Sequence, residues 1–498
     1  MIIADQTNLD ILDTISDLDA DKIFTPPHVA NLVLDLLPEK IWSNPNIKLL
    51  DPVSKSGVFL REATKRFMVG LKKEIPNETD RRNHILKNII YGIGTEYVCS
   101  LISRRTLYYS KNANSAFSAL KFEHPDGNIY FKREKHDIFL GKCQICGGKE
   151  ELEKNKAENF AYPFIHNLEI YKDMNFDVVV GNPPYQLDDG GNERSATPIY
   201  QHFVKQAFKL NPKYVGMIIP SRWFAGGKGL ASFRKELIKD KRIVKIVDYE
   251  NAREIFPTVG IDGGVCYFLW DKNNKSTPII VNKSGDEEIS KKRDLDQYGE
   301  IFIRWNNALS ILDKVIKSNP SKKFLSETVS SRKPFGLATN FDNYSLKKFD
   351  SKNTLRVYGL AKSIKHVDKK HITKNIEMID KYKVLVSYVK GVANYPDNII
   401  LKPFIAKPGE VCKEQYLVLD WFNTKDEAER FIKYIETKIV RFLVALRKIS
   451  KHNTSEVWSY VPYPDVDKNY TDKNLYKFYN LSQKEIDFID SKVTELED

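Results

Sequence analysis

The sequence predicts an α/β protein whose core is an open, mostly parallel β-sheet. Short apolar runs typical of buried strands recur along the chain, and helical apolar patterns separate them up to about residue 240. This alternation is the pattern of strand–helix units that form parallel sheets. The 498 residues and the hydrophobic content of 42% are sufficient for two or three domains with large cores. We therefore expect ligand-binding residues at the carboxyl ends of the strands.

The composition restricts the classes of partner and compartment. A net charge of +12 favours a polyanionic partner such as nucleic acid. The five cysteines are too few for a disulfide framework and are typical of a reducing cytosol. The sequence contains no run of apolar residues long enough to span a bilayer, and its acidic start lacks the basic region of a secretory signal. We therefore expect a cytoplasmic protein with no membrane partner.

The first predicted element of the α/β region is a helix that follows Thr25-Pro26-Pro27. Residues 1–22, which precede it, are polar and acidic and are expected to form a short leading helix. Apolar residues at helical spacing continue from Val29 to Leu37. A threonine before two prolines is typical of a helix start, so we expect Thr25 to cap the helix and Pro26 to occupy its first position.

A strand, a turn of small residues and a helix follow between Lys48 and about Leu71. The strand is expected at residues 48–50, and the turn begins with Asp51-Pro52. Free backbone N–H groups at such a helix start point towards a ligand, so the turn is a candidate cofactor cradle. A second strand, at residues 88–94, is followed by Glu96, and an acidic residue in that place can accept hydrogen bonds from a ribose.

The chain is organised around residues 176–185, which read FDVVVGNPPY. The β-branched run 176–180 predicts a buried central strand. Two successive prolines lack an N–H group and fix φ near −65°, so Asn182 to Tyr185 form a stiff turn at the carboxyl end of that strand. The alternative without a function is a proline-stiffened loop that only ends the strand.

The stiff turn suits recognition of an exocyclic amino group. The side-chain amide oxygen of Asn182 and the backbone carbonyl of Pro183 can each accept one of its hydrogens, which makes the nitrogen more nucleophilic. Tyr185 offers a flat face for an extruded base, a contact worth about 1–3 kcal/mol. A base inside a duplex cannot reach such a turn, so the nucleotide would have to be flipped out.

An NPPY sequence after a buried strand resembles the catalytic motif of the DNA methyltransferases that produce N6-methyladenine. The resemblance implies S-adenosylmethionine as cofactor and a catalytic role for Asn182, Pro183, Pro184 and Tyr185. It places Thr25 beside the methionine part of the cofactor, Glu96 at the ribose, and Asp137 and Ile138 at the adenine. The complete set of cofactor-binding residues implied in this way is Thr25, Asp51, Pro52, Ser56, Gly57, Phe59, Glu96, Asp137, Ile138 and Asn182.

The same resemblance implies an architecture and domain boundaries. It implies a Rossmann-like seven-stranded methyltransferase sheet at residues 23–310, whose final strand is inserted antiparallel. Residues 129–131 and 136–139 are expected at the next edge of the sheet. Residues 320–498 are expected to form a C-terminal α+β target-recognition domain, because the order of the motifs is similar to the group that carries this domain last.

The cofactor loop departs from the pattern of the family at Lys55. The family has Asp-Pro-x-x-Gly-Ser-Gly-x-Phe-Leu, whereas this chain has Lys55 in place of the first glycine. Glycine serves there because it accepts a positive φ and allows close approach of the backbone. Lys55 therefore keeps open the alternative of a catalytically weak DNA-binding specificity subunit.

Cys143 and Cys146 form a lone CxxC knuckle within a possible insertion at residues 140–170. A structural zinc needs four ligands, and the nearby candidates for the other two are His136 and His166. Without a second CxxC pair, the sequence favours the alternative of a solvated hairpin tip with two free thiols. We therefore predict no metal, and zinc at Cys143 and Cys146 is the minor alternative.

The C-terminal region interleaves basic and aromatic residues from Lys322 to about Lys390, a pattern that suits contacts with DNA. A single long helix is expected from Thr424 to Ile449, with a capping box at Thr424 and Glu427. The candidate DNA-binding residues of the whole chain are Lys228, Arg332, Lys333, Lys362 and Lys365.

Together these patterns predict a site-specific DNA adenine-N6 methyltransferase of a restriction–modification or related defence system, of prokaryotic or phage origin. Double-stranded DNA is the expected substrate, and a separate restriction endonuclease is a candidate partner. The alternative enzyme class is an RNA or protein methyltransferase, since some of these use a similar NPPY turn.

Overall fold

The computed structural model describes residues 24–148, 161–186, 197–227, 229–261, 263–319, 321–345, 350, 352–389, 402–448, 452–494 and 496. The chain divides into two compact units, one formed by Met1–Trp223 and Gly227–Glu300 and the other by Phe224–Gly226 and Ile301–Asp498. The predicted leading helix at residues 1–22 lies outside the described residues. No helix in the described part of the chain combines the length and the apolar character that crossing a bilayer requires.

The first unit is built on one large mixed sheet, which confirms the α/β class. Its strands are β1 (Leu49–Ser54), β2 (Ile90–Gly94), β3 (Ile129–Tyr130), β6 (Val178–Gly181), β7 (Tyr214–Pro220), β8 (Ile243–Tyr249), β9 (Val265–Asp271), β10 (Ile279–Ser284) and β11 (Glu287–Lys292). Two further strands, β4 (Ile138–Phe139) and β5 (Lys142–Cys143), form a separate hairpin. The spatial order across the large sheet is β11-β10-β8-β9-β7-β6-β1-β2-β3.

Helices connect the strands of the first unit. They are α1 (Pro27–Leu34), α2 (Val58–Gly70), α3 (Glu78–His84), α4 (Tyr97–Tyr108), α5 (Pro163–His166), α6 (Glu169–Lys172), α7 (Tyr200–Lys209) and α8 (Ala231–Lys239). The apolar faces of α1 and α2 pack with the strands in one core that includes Val33, Phe67 and Val180. Burial of these faces is the main term that holds the helices on the sheet.

The sheet is parallel except near one edge. Strand β1 pairs in parallel with both β2 and β6, and β6 with β7, so the carboxyl ends of these strands meet at one edge of the sheet. Strand β9 is inserted antiparallel between β7 and β8, as expected. The sheet has nine strands and not the predicted seven, because residues 279–292 add the hairpin β10–β11 beside β8.

Residues 136–139 do not extend the large sheet, so their predicted position was wrong. The edge strand is β3 alone, which pairs with β2. Ile138 and Phe139 pair instead with Lys142 and Cys143 across a tight turn. Leu140 and Gly141 both have positive φ in that turn, a conformation that reverses the chain locally and favours hairpin pairing over pairing with a distant strand.

The second unit combines short strands with helices. Its strands are β12 (Thr354–Tyr358), β13 (Ile364–Asp368), β14 (Tyr382–Ser387), β15 (Phe404–Ala406), β16 (Glu410–Cys412) and β17 (Tyr416–Phe422), which form two three-stranded sheets. Its helices are α9 (Ala308–Lys317), α10 (Lys425–Glu436), α11 (Lys438–Ala445), α12 (Asp472–Phe478) and α13 (Gln483–Lys492). Residues of both sheets, among them Val357 and Val418, share one core.

The single helix expected at residues 424–449 is in fact two helices. Thr424 and Glu427 form the predicted capping box at the start of α10. The helical path then breaks at Thr437, whose extended backbone conformation ends α10 and caps α11. The Thr437 hydroxyl donates to the carbonyl of Tyr434, a local bond that competes with continuation of the helix. The apolar stripe continues across the break because both helices bury the same kind of face.

Candidate active site

The stiff turn lies at the carboxyl end of β6, as the sequence predicts. Asn182 directly follows Gly181 and is buried, with only 4% of its surface exposed. Its amide nitrogen donates to Thr25 Oγ1 at 3.0 Å. Its amide oxygen is buried and accepts no hydrogen bond from the residues that the structure describes. A buried acceptor without a partner is costly, so this oxygen is the atom that a ligand donor would satisfy.

Thr25 has a different role from the predicted helix cap. Helix α1 begins at Pro27, and its N-cap is Pro26, which has no side-chain capping bond. The Thr25 hydroxyl instead accepts from Asn182. Because the amide nitrogen is used in this way, the hydrogen bond determines which end of the Asn182 amide remains available as an acceptor.

The other residues of the turn are arranged around Asn182. Pro183 is buried, whereas Pro184 and Tyr185 are half-buried. The backbone carbonyl of Tyr185 accepts from the N–H of Ile199 at 3.2 Å, which fastens the end of the turn. Burial raises the pKa of the Tyr185 phenol well above its usual value, against the smaller opposing effect of the Asn182 side chain. The ring is therefore neutral at physiological pH and is suited to stacking and not to proton abstraction.

Asp51 lies beside the turn because β1 and β6 are neighbours. A Cβ atom on Gly181 would lie only 3.0 Å from Asp51 Oδ1 and 2.7 Å from Val53 Cγ2, so only glycine permits this approach. Asp51 is buried, and its Oδ1 accepts from the N–H of Val53 at 3.1 Å. Burial raises the pKa of Asp51 to about 7, against the opposing effects of the Val53 and Ser54 hydrogen bonds and the charge of Lys55. A cationic ligand group at this position would favour the ionised carboxylate.

The raised pKa of Asp51 predicts a pH-dependent loss of stability. Between pH 3.8 and about 7 the folded protein holds a proton on Asp51 that the unfolded chain has lost, so this group lowers stability as the pH rises. Asp51→Asn removes the effect and keeps an acceptor for Val53. We expect the variant to be more stable than the parent at pH 8, by at most about 4 kcal/mol, and the difference to shrink towards pH 4.

The measurement is the melting temperature of parent and variant over this pH range. Asp173→Asn, a change at an exposed aspartate of the same unit, serves as the control and should show a small, pH-independent difference. A constant difference between parent and Asp51→Asn at all pH values would contradict the prediction.

The loop after β1 leads into α2, as the sequence predicts for the candidate cofactor cradle, and Lys55 lies in this loop. Gly57 has φ of +74°, and a Cβ atom at this position would press against Ser103, so this is the position that requires glycine. Lys55 is not among the described non-glycine residues with positive φ, so its side chain imposes no backbone strain. The predicted end of the strand at residue 50 was wrong, because β1 continues to Ser54 and includes Asp51 and Pro52. Of the other predicted residues, Pro52 is buried in β1, Ser56 is buried in the loop and Phe59 lies in the core.

Helix α4 supports the cradle in a way that the sequence analysis missed. Ser103 Oγ lies 3.0 Å from Ser54 Oγ and donates to the carbonyl of Lys55 at 3.3 Å. Thr106 Oγ1 donates to the carbonyl of Ser56 at 2.8 Å. Ser100, Ser103 and Thr106 recur at every third position, and this row of small polar residues on one helix face was the available signal.

The remaining cofactor candidates are partly brought together. Glu96 is half-buried and immediately precedes α4, the helix that carries Ser103 and Thr106. Asp137 and Ile138 lie on the separate β4–β5 hairpin, so they do not follow a strand of the large sheet. Phe131 directly follows β3, and its ring lies 6.1 Å from that of Tyr97. Phe131 is therefore nearer to the end of β3 along the chain than Asp137 is.

Of the predicted basic residues in the second unit, Lys333 is half-buried and the other three are exposed, and each contacts an acidic or aromatic side chain. Arg332 and Lys333 both pair with the buried carboxylate of Glu414, at 3.1 and 3.9 Å. Lys362 lies 4.5 Å from the ring centroid of Phe404, and Lys365 lies 4.2 Å from that of Tyr344. The predicted interleaving of cations and aromatic rings is therefore present as physical contact. Lys228 lies outside the described residues.

The CxxC knuckle differs from the favoured expectation. It lies at the end of β5 and in the turn that follows, not at the hairpin tip, and the side chains of Cys143 and Cys146 are buried and not solvated. Both imidazoles that the sequence offered are next to them, at 3.5 Å for Cys143 Sγ and His166 Nε2 and at 3.4 Å for Cys146 Sγ and His136 Nδ1. The sulfurs are shielded because the hairpin folds back on α5, a contact between residues distant in sequence.

Sequence comparison identifies relatives of this chain. The sequence profile of the Eco57I restriction-modification methylase family matches residues 88–256. An uncharacterized adenine-specific methylase from Mycoplasma pneumoniae is 35% identical over 337 residues, which are 61% of this chain and 79% of that protein. A putative type II restriction enzyme and methyltransferase from Methanocaldococcus jannaschii is 28% identical over 171 residues, which are 32% of this chain and 14% of that protein.

Solved structures with a similar arrangement are larger proteins. A nuclease-deletion mutant of the Type ISP restriction-modification enzyme LlaGI matches 97% of this chain with a TM-score of 0.47 and 10% identity. A modification subunit of a putative type I restriction enzyme from Vibrio vulnificus matches 57% with a TM-score of 0.35 and 15% identity. This chain spans 56% and 51% of their lengths, respectively.

The family rests on the extent of the sequence match. The Mycoplasma relative is matched over most of its length, and the Eco57I profile includes the strand and turn at residues 178–185. This chain therefore belongs to the family of adenine-specific methylases, and its residues 88–256 match the Eco57I restriction-modification methylase model.

Proposed function

We propose that this protein transfers the methyl group of S-adenosylmethionine to N6 of an adenine that is flipped out of duplex DNA. The observation that carries the proposal is the buried, unpartnered amide oxygen of Asn182, whose amide nitrogen is held by Thr25. An acceptor fixed in this way, at the end of β6 and beside Asp51, is suited to one hydrogen of an exocyclic amine.

The residues of the stiff turn would act by positioning and polarisation. Asn182 Oδ1 accepts one hydrogen of the amino group and the Pro183 carbonyl accepts the other, which raises the electron density on the nitrogen and directs its lone pair. Tyr185 stacks on the flipped base. S-adenosylmethionine would supply the methyl group, and the residues of the turn would orient the amino nitrogen towards it, with the proton that the nitrogen gives up passing to solvent. Such catalysis depends mainly on orientation, so no strong side-chain base is needed before attack.

The cradle would hold the cofactor. S-adenosylmethionine supplies, when bound, an electrophilic methyl group on a cationic sulfonium. The residues fit this group, because a buried carboxyl at Asp51 favours a nearby cation and Gly57 gives the close backbone approach that a helix start needs to face a ligand. Glu96 would accept hydrogen bonds from the ribose. The assignments of Asp137 and Ile138 to the adenine stay predictions.

The finer architecture belongs to the same proposal. The seven strands from β3 to β8 across the sheet would constitute the Rossmann-like methyltransferase sheet, with β10 and β11 as an addition. The second unit would serve as the target-recognition domain, with Arg332, Lys333, Lys362 and Lys365 as its DNA contacts. Lys228 is a further candidate contact, a separate restriction endonuclease is a candidate partner, and the cytoplasm of a prokaryotic or phage-infected cell is the proposed location.

The test is a methylation assay with labelled S-adenosylmethionine on duplex DNA, single-stranded RNA and a protein mixture. We expect label in duplex DNA alone, and N6-methyladenine as the modified nucleoside after digestion. Label in RNA or protein, or in another base of DNA, would contradict the proposed substrate. Cofactor binding without transfer to any substrate would support the rival of a weak specificity subunit.

Thr25 is expected to position Asn182 without touching the base. Thr25→Val removes the hydroxyl that holds the Asn182 amide at similar side-chain volume, so we expect a roughly 10-fold lower kcat, which corresponds to the loss of about one hydrogen bond. Thr25→Ser keeps the hydroxyl and should restore most of the rate. Equal melting temperatures for the Val and Ser variants would show that the lower kcat does not come from a loss of stability.

A further inference from the structure

The CxxC knuckle and two histidines form a group that the methyl-transfer site does not use. The four residues are His136, Cys143, Cys146 and His166, and their potential ligand atoms all lie within 4.8 Å of one another. The two cysteines are buried and are not joined by a disulfide. Two elements contribute them, since three belong to the β4–β5 hairpin and its flanks and His166 ends α5.

The spacing of the ligand atoms matches a tetrahedral metal site. Zinc binds sulfur at about 2.3 Å and nitrogen at about 2.0–2.1 Å, so a tetrahedral zinc separates a sulfur and a nitrogen ligand by about 3.6 Å. The Cys143–His166 and Cys146–His136 distances are 3.5 and 3.4 Å. The imidazole rings are 5.1 Å apart and nearly perpendicular.

The environment of His166 independently favours a metal ligand. Its Nδ1 lies 3.0 Å from the backbone carbonyl of Tyr162 and donates to it. This bond fixes the tautomer in which Nε2, the atom that faces Cys143, carries the lone pair. Metal-bound histidines usually donate their other ring N–H to such a carbonyl. The backbone of the knuckle is also preformed, because Gly147 has positive φ and its N–H donates to the carbonyl of Cys143 at 2.9 Å.

We propose that His136, Cys143, Cys146 and His166 bind one Zn²⁺ ion in a closed, structural site. Two thiolates and two imidazoles at tetrahedral spacing are typical of zinc, and four protein ligands leave no open position for a substrate. The function is therefore to fasten the β4–β5 hairpin to α5, and it is separate from the methyl-transfer chemistry.

The fastened segment lies directly before the catalytic strand. Helix α5 is anchored to the body of the first unit, because Phe164 stacks on Phe203 of α7 and the carbonyl of Ile165 accepts from Gln206 at 2.9 Å. The chain then passes through α6 to β6, which carries the stiff turn. The side chain of Asn167, which follows α5, donates to the carboxylate of Glu134, which precedes the hairpin, at 2.9 Å. Zinc would join the hairpin to α5 directly.

The first experiment measures metal content in the full-length chain. The protein is purified without a histidine tag under reducing conditions from zinc-supplemented cells, and metals are quantified by mass spectrometry. We expect about one zinc per chain. Cys143→Ser, Cys146→Ser, His136→Asn and His166→Asn should each lose most of the zinc. The matched controls Cys99→Ser and His124→Asn change a buried cysteine and an exposed histidine outside the cluster and should retain it.

The second experiment remains decisive if the variants fold poorly, because it uses the parent protein. Zinc is removed with a chelator and Co²⁺ alone is titrated in. We expect the intense visible absorption of tetrahedral cobalt together with a thiolate-to-cobalt charge-transfer band, saturating at one equivalent. Hydrogen exchange in residues 136–146 should be faster in the metal-free protein and return to its original rate when zinc is restored.

Three results would overturn the proposal: a parent protein without stoichiometric zinc, a cobalt spectrum without a thiolate band, or ligand variants that retain zinc as the controls do. Methylation activity is not a readout of either experiment. The outcome for the metal is therefore independent of the outcome for the proposed substrate.

Discussion

Asn182→Ala is expected to reduce methyl transfer to duplex DNA on the order of 10³-fold. The variant removes the buried amide oxygen, which is the acceptor proposed to hold and polarise the target amine. Loss of one preorganised polar group at a reacting centre commonly lowers kcat by about 10²–10³-fold. The fold should be little affected, because the side chain gives up one hydrogen bond to Thr25 and also removes an unpartnered buried oxygen.

Three measurements distinguish this effect from misfolding. Single-turnover methylation should decrease, while the affinity for S-adenosylmethionine and the melting temperature stay close to those of the parent. Asn88→Ala, at an exposed asparagine of the same unit, is the control and should methylate DNA at the parent rate. If Asn182→Ala also retained the parent rate, the amide would have no part in the chemistry.

Tyr185→Ala is expected to lower kcat/KM for duplex DNA by roughly 10- to 100-fold. The aromatic face is proposed to stack on the flipped adenine, and a base–aromatic contact is worth about 1–3 kcal/mol. The proposed contact uses the ring and not the hydroxyl, so the hydroxyl should contribute little. Tyr185→Phe, which keeps the ring, should therefore retain most of the activity.

The same pair of variants tests base flipping. The energetic demand for extrusion is lower when the target adenine is mismatched than when it is paired. We expect the Ala variant to recover part of its deficit on DNA with a mismatch at the target adenine, and the Phe variant to show no such difference from the parent. Equal losses in the Ala and Phe variants would assign the effect to the hydroxyl and contradict stacking.

The central features of the site could be predicted because their signals are local. A β-branched run predicts a strand, and two prolines after it predict a stiff turn, so the position of Asn182 follows from ten consecutive residues. The cradle at Asp51 follows from a strand, a turn and a helix start in the same way. The antiparallel position of β9 was implied by the family resemblance and is confirmed by its pairing with β7 and β8.

The predictions that were wrong concern segments for which the sequence allows two local structures. Thr25 was expected to cap α1, but Pro26 holds that position and the hydroxyl is used by Asn182. Residues 136–139 were expected in the sheet, but a two-residue turn with positive φ pairs them locally. The helix after Thr424 was expected to be continuous, but the Thr437 hydroxyl finds a backbone carbonyl and ends the first half. In each case the local pattern permitted two structures and contacts decided between them.

The sequence by itself determined the strand–helix alternation, the stiff turn and the chemical groups that the turn presents, since these depend on the conformational limits of neighbouring residues. Only the tertiary structure decided that Thr25 holds an amide 157 positions away, that Ser103 and Thr106 support the cradle, and that His136 and His166 meet the buried cysteines. Such pairs are brought together by burial of the whole apolar core, which no short stretch of the chain specifies.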